Sequence, residues 1–339
     1  MSTVIHASAP GKLLISGEYA VLDRAPALVA AVDVRARCEL RLGSSDEWVI
    51  EALPIDPRGR RCRISAGGID WQDEPVELLE AGFDALPEAR RRMLAGTGAA
   101  LRIDTSGFFI KDTKLGLGSS AAALTALMGA LWAATGGLPE EAEAFSQLQA
   151  AHHAWQGGGS GADLAAALSG GVLLYRREPR ITAPVALPDS LEILPIWTGE
   201  AASTADFLAA VDDFQARDPE EFLARMKVLE AEAEEAALAA SNGDAEALFE
   251  AIGDFGGALR ALGEAAELPI WNSAHLALRE AVEAAGGAYK PSGAGGGDFG
   301  LAFVRDKRVL EAVKSSISSA GYATMPLRFG ARGLHVTTD

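Results

Sequence analysis

Three lysines stand beside three glycine-rich segments. Lys12 lies in Ala9-Pro10-Gly11-Lys12-Leu13, Lys114 precedes Leu115-Gly116-Leu117-Gly118-Ser119-Ser120, and Lys290 opens a segment with five glycines between Gly293 and Gly300. Glycine lets a backbone approach a ligand closely. Backbone N–H groups at a helix start, reached through glycines, form a site for a phosphate. Gly116 to Ser120 leads into an Ala/Leu-rich run from Ala121 to Ala134, which predicts such a helix. The segment lacks the Gly-Lys-Ser/Thr ending of the common P-loop, so a nucleotide bound here is held by another design. Each lysine taken alone reads as a surface residue; the glycine segments around all three are what set them apart.

Asp163, in Ser160-Gly161-Ala162-Asp163, could accept a proton, orient an acceptor, tune Lys12 or cap the helix that starts there. His152 and His153 have no acidic or cysteine partner at ligand spacing and read as helix residues beside the site.

These groups need elements to hold them. Residues 3 to 42 read as β structure broken by a Pro10-Gly11 turn, and residues 53 to 74 as an exposed loop or hairpin. A helix is expected from Glu77 to Leu94, with Arg90, Arg91 and Arg92 on a solvated face. The stretch from Lys114 to Gly137 is long enough to span a membrane. Its glycines, serines and Thr125 make a buried helix the better reading. A further helix runs from about Glu140 to Trp155 and stops at glycines 157 to 161. Ala162 to Leu168 restarts a helix, and Val172 to Tyr175 is a strand. Proline-rich sequence between Ile181 and Pro188 marks a boundary, dividing the chain into residues 1–183 and 184–339. Pro219 to Gly263 is helical with a solvated acidic face. Strand, helix and strand follow the last glycine segment. Without strict βαβ alternation this is an α+β chain.

With 339 residues, 49% of them apolar and 23% charged, the composition is that of a soluble globular protein of two domains. A formal charge of −17 argues against nucleic acid or an anionic membrane as the main partner, since both require a basic footprint. Cys38 and Cys62 have no metal-type spacing and make no disulfide framework. The N-terminal residues carry no targeting pattern, so a cytoplasmic, reduced setting is expected.

Together the three segments resemble the GHMP kinases, small-molecule kinases named for galactose, homoserine, mevalonate and phosphomevalonate. Their first motif matches Pro10-Gly11-Lys12-Leu13 through Gly17-Glu18-Tyr19-Ala20-Val21-Leu22, their ATP loop Gly116 to Ala122, and their C-terminal motif Ser292 to Gly297. The resemblance implies an S5-like N-terminal domain, a ferredoxin-like C-terminal domain and a substrate cleft between them. It implies ATP on Gly116, Leu117, Gly118, Ser119, Ser120 and Ala121, with Mg²⁺ on the Ser120 hydroxyl, and Lys12, Lys114 and Asp163 as catalytic groups. Substrate contacts would fall on Lys12, Glu18, Tyr19, Ser160, Gly161, Lys290, Ser292, Gly293, Ala294, Gly295 and Asp298.

Within the family the chain is most similar to the phosphomevalonate kinase branch, through Tyr19 after Gly17-Glu18, Lys114 before the ATP loop and Asp298 after the last glycines. The segments Gln156 to Gly171 and Ile196 to Leu208 agree as well. Glycine at 158 or 159 stands where that branch often has lysine, and His152 where mevalonate kinases carry an acidic metal ligand; Arg328 and Arg332 could restore charge. An acceptor that is itself a phosphate monoester has its second pKa near 6. It needs cations more than a base, which suits Lys12, Lys114 and Lys290. The alternatives are mevalonate kinase or another hydroxyl kinase, and a catalytically silent nucleotide-binding regulator. A monomer and a homodimer are both compatible with the sequence.

Overall fold

The computed structural model describes residues 3–339. Strand β1 (Val4–Ser16) pairs antiparallel with β2 (Ala27–Gly43), which continues through β3 (Trp48–Leu53), β4 (Asp56–Ser65), β5 (Gly68–Trp71) and β6 (Gly98–Asp104) into a mixed sheet. Only β3 and β6 run parallel among these. Residues 53 to 74 contain the β4–β5 hairpin, as expected.

The expected turn at Pro10-Gly11 is absent, and β1 runs on through both residues with a register shift between them. Proline has no N–H for the ladder, and a bulge absorbs it. At Gly11 a Cβ would sit 2.6 Å from the Leu117 carbonyl oxygen. The bare glycine therefore lets the Lys12 N–H donate to that oxygen at 2.8 Å. The bulge joins the first glycine segment to the second.

The helix expected over residues 77 to 94 is two helices, α1 (Glu77–Asp84) and α2 (Glu88–Leu94), with Pro87 at the second N-cap. Proline disfavours the helical conformation in the residue before it. Arg90 is not on a solvated face. Its guanidinium donates to the carbonyls of Trp132 (3.2 Å), Thr135 (3.3 Å) and Gly137 (2.8 Å) and to Thr135 Oγ1 (3.1 Å). Arg91 lies 6.0 Å from the Phe83 ring centroid, and Arg92 pairs with Glu88.

After the short ribbon β7 (Phe109–Ile110) and β8 (Thr113–Lys114), helix α3 (Ser119–Ala134) enters the core. Thirteen of its 16 residues are buried, which accounts for a sequence apolar on every side. It packs on β1, β2, α4 (Glu141–Gln156) and α5 (Ala162–Ser169). Trp132 Nε1 donates to Gln147 Oε1 across the α3–α4 contact at 2.8 Å. Among the described residues no helix is long and apolar enough to cross a membrane.

Strands β9 (Val172–Arg176) and β10 (Ile181–Pro184) complete one edge of the nine-stranded sheet. The chain then forms a three-stranded antiparallel sheet from β11 (Glu192–Trp197), β12 (Ala288–Ser292) and β13 (Phe299–Val304), in the order β11-β13-β12. Between β11 and β12 lie α6 (Thr204–Arg217), α7 (Pro219–Asn242), α8 (Ala245–Ala266) and α9 (Ser273–Ala284); α10 (Lys307–Ser319) follows β13. The final strand, β14 (His335–Thr338), returns to the large sheet beside β1. Cys38 and Cys62 are both buried and free.

Candidate active site

Helix α3 begins from Gly118, which is left-handed (φ 73°), and no side chain caps its first turn. Its leading N–H groups have no partner within the helix and carry the positive end of the dipole. Gly118 is also a point of close approach. A Cβ there would lie 3.2 Å from Lys12 Cγ and 3.7 Å from Asp163 Cβ. Lys12 on β1 and Asp163 on α5 thus converge on the start of α3 from two different elements.

Asp163 does not cap its helix. The N-cap of α5 is left-handed Gly161, without a side-chain cap, and Asp163 Oδ1 accepts from the adjacent Leu164 N–H at 2.9 Å. Ser160 fixes the entry: its Oγ accepts from the Ala162 N–H at 3.3 Å, and its carbonyl accepts from the Tyr175 hydroxyl at 2.7 Å. Burial, with Asp163 adding to it, pushes that phenol up to about 12. Gly161 is buried, and a side chain there would meet the same hydroxyl at 2.7 Å.

Lys114 is exposed at the end of β8. Among the described residues neither Lys12 nor Lys114 has a carboxylate oxygen within 4.0 Å of its ammonium. In a chain of charge −17, Lys12 beside the uncapped start of α3 and Lys114 on the ribbon leading into it are a local concentration of positive charge of the kind that favours an anion.

Lys290 is different. It is fully buried and donates to Glu18 Oε1 at 2.6 Å, so these two expected substrate contacts neutralise each other inside the protein. Three further expected contacts are likewise committed to the chain itself. The Tyr19 hydroxyl donates to the Ala294 carbonyl at 2.5 Å, the Ser292 hydroxyl donates to the Leu14 carbonyl at 2.8 Å and accepts from its N–H at 3.0 Å, and the Gly293 N–H donates to Glu18 Oε1 at 3.3 Å. The last glycine segment also packs more tightly on protein than the expected ligand approach requires. A Cβ on Gly295 would meet Ile270 at 2.6 Å, and one on Gly296 would collide with the Phe207 ring.

Sequence reasoning missed the scaffold under that segment. Asn272 caps α9 and donates to the Gly296 carbonyl at 3.0 Å. His275, fully buried, bridges the Gly297 carbonyl (Nε2, 3.0 Å) and the Tyr289 hydroxyl (Nδ1, 2.8 Å). A carbonyl only accepts, so Nε2 carries the proton and the tyrosine donates to Nδ1. Asparagine before the amphipathic run Ser273 to Ala284 is an N-cap signal legible in the sequence; His275 has no local signal. His152 is buried against Trp155, and among the described residues no three His, Cys, Asp or Glu side chains group as a metal site.

The family model for the GHMP kinase N-terminal domain matches residues 84–171, and that for the C-terminal region matches residues 233–323. A phosphomevalonate kinase of Streptomyces sp. (strain CL190) is 30% identical, over 96% of this chain and 97% of that protein. This chain belongs to the GHMP kinases. A mevalonate kinase of Thermococcus sibiricus is 27% identical over 98% of both proteins. The solved phosphomevalonate kinase of Streptococcus pneumoniae, in complex with phosphomevalonate and AMPPNP, superposes with a TM-score of 0.78 at 20% identity, covering 96% of this GHMP kinase and 99% of that chain. At that identity the likeness is one of fold.

Proposed function

We propose that this GHMP kinase transfers the γ-phosphoryl group of ATP to the phosphate of (R)-5-phosphomevalonate, giving 5-diphosphomevalonate and ADP in the mevalonate route to isoprenoids. The observation that carries the reading is the pair of lysines with no carboxylate within 4.0 Å among the described residues, Lys12 beside Gly118 at the uncapped start of α3 and Lys114 on the ribbon that leads into it. An acceptor phosphate oxygen attacks the γ-phosphorus while the bond to the β–γ bridging oxygen breaks toward ADP. No proton has to be removed from a dianionic nucleophile. The difficulty is bringing two polyanions together, and preorganised cations and helix N–H groups lower it.

In this reading Gly116 to Ala121 hold the ATP phosphates, Lys12 stabilises the transferring group, and Lys114 attracts the acceptor phosphate. Asp163 orients Lys12 and the acceptor, a positioning role. Residues 1–183 supply the nucleotide side, and 184–339, apart from the last strand β14 in the large sheet, close the acceptor side. Magnesium takes few protein ligands and keeps phosphates and waters. The Ser120 hydroxyl in the first turn of α3, where among the described residues no three His, Cys, Asp or Glu side chains group as a metal cage, fits that preference. When bound, the ion supplies charge neutralisation on the phosphates.

A second reading, mevalonate kinase, draws support from the 27% identical relative and from Asp163, which could serve as base for an alcohol. An ADP-release assay with mevalonate and phosphomevalonate in parallel separates the two. Turnover of the phosphorylated acceptor is expected, and turnover of mevalonate alone would overturn the proposal.

A further inference from the structure

Asp298 ends the last glycine segment in a left-handed conformation (φ 53°). Gly293, Gly295 and Gly296 adopt positive φ without a Cβ penalty. An aspartate there costs on the order of 1 kcal/mol, so the side chain at this position calls for an explanation from function.

Its backbone is pinned on both sides. The N–H donates to the Glu200 carbonyl at 2.7 Å, and the carbonyl accepts from Thr198 N–H (2.9 Å) and Oγ1 (3.0 Å). One carboxylate oxygen, Oδ1, accepts from the Ala202 N–H at 3.2 Å. The other lies over Gly116 in the phosphate loop, so close that any side chain at Gly116 would overlap it. Burial raises the pKa of this carboxyl, while the Ala202 N–H and the charges of Lys12 and Lys114 oppose the rise. Among the described residues no ammonium or guanidinium nitrogen comes within 4.0 Å of it. The carboxylate is held by the protein framework at the loop and acts on both lysines across a gap.

We propose that Asp298 is a resident counter-anion of the phosphate site. It occupies part of the field of Lys12 and Lys114 at the loop, keeps both lysines compensated in the empty enzyme, and weakens the grip on phosphate-bearing ligands so that charged products leave. This departs from the expectation that Asp298 contacts substrate. It rests on the phosphoryl-transfer reading only in assigning Gly116 to Ala121 to phosphates, and it is independent of which acceptor is used.

The test measures binding of AMPPNP and of inorganic tripolyphosphate by titration calorimetry to the parent, Asp298→Asn and Asp298→Gly. Asparagine keeps an oxygen for the Ala202 N–H and removes the charge; glycine removes the charge and the left-handed penalty together. Both variants are expected to bind about tenfold more tightly at low salt, the size of effect expected from deleting one repulsive charge at partly screened range. The gain should shrink as salt rises. Product release should slow, so that a burst of ADP precedes a lower steady rate. Unchanged or weaker binding in both variants, with circular dichroism showing them folded, overturns the inference. A residue with a purely structural role would weaken binding when replaced. Absence of phosphate-dependent binding in the parent would instead overturn the assignment of the loop, and the inference with it.

Discussion

The Lys290 ammonium donates to Glu18 Oε1 at 2.6 Å, with side-chain exposures of 0% and 1%, and so ties the first glycine segment to the third. Burial lowers the pKa of Lys290 against the pull of Glu18. The second oxygen, Oε2, is buried with no hydrogen-bond partner among the described residues, and the ammonium lies 5.7 Å from the Phe255 ring centroid. Removing one member of a buried pair leaves an uncompensated charge, whereas removing both lifts two desolvation penalties. Lys290→Met is expected to cost about 3–5 kcal/mol. Adding Glu18→Leu should recover most of that loss. Urea denaturation of both single variants and the double variant measures the coupling, and additive losses would contradict it.

Arg90 closes the far end of the helix whose start faces the phosphates. It gathers the carbonyls of Trp132, Thr135 and Gly137, where the negative end of the dipole also favours a cation. Arg90→Ala should cost about 2–3 kcal/mol, as expected for losing charged hydrogen bonds. At 16 residues, α3 places this cap about 24 Å from its start. The KM for ATP should therefore stay within about twofold while the melting temperature falls by a few degrees. A large change in KM with stability intact would contradict a purely structural cap.

Features governed by local chemistry were legible in the sequence. The uncharged run after Lys114 reads as a buried helix entered through glycines because an Ala/Leu helix without charges can only sit in a core. The spacing of Lys12, Ser120 and Asp163 resembles that of one kinase family, and the structure brings Lys12 and Asp163 together at Gly118. Illegible features depend on partners distant in the chain. Arg90 looks like one of three solvated arginines until the end of α3, more than 40 residues away, supplies its acceptors. Lys290 looks like a free cation until Glu18 arrives from 272 residues away. Pro10-Gly11 looks like a turn because the bulge that absorbs it depends on Leu117.

His275 links the glycine segment to pH. Burial holds its pKa down to about 4, below the ordinary 6.5, against the opposing Gly297 carbonyl. The folded state favours neutral imidazole, so its contribution is present in full above pH 6.5 and is lost as pH falls toward 4. The size is about 3 kcal/mol across that window. His275→Gln keeps a donor for the Gly297 carbonyl and cannot titrate. It should be less stable than the parent near neutrality and lack the His-linked loss below pH 6.5. Denaturant unfolding of both proteins between about pH 7 and pH 4 checks this; parallel stability curves would remove His275 as the source.

Lys12 and Lys114 should separate in kinetics because they reach the site from different supports. Lys12 sits on β1, its N–H bound to the Leu117 carbonyl of the phosphate loop, and its side chain lies beside Gly118 at the start of α3. Lys12→Met should lower kcat by about 10²–10³, the usual effect of removing one preorganised charge from a transition state. It should do so with any acceptor, water included. Lys114 is exposed on the two-stranded ribbon and has no carboxylate partner within 4.0 Å among the described residues. Lys114→Ala should chiefly raise KM for a phosphorylated acceptor, by about tenfold for the loss of one steering and binding charge. Hydrolysis of ATP by water should change much less, since water carries no phosphate to attract. Steady-state assays with phosphomevalonate and without any acceptor measure both quantities on the same preparations. Equal losses in the two assays would move Lys114 from the acceptor to the nucleotide.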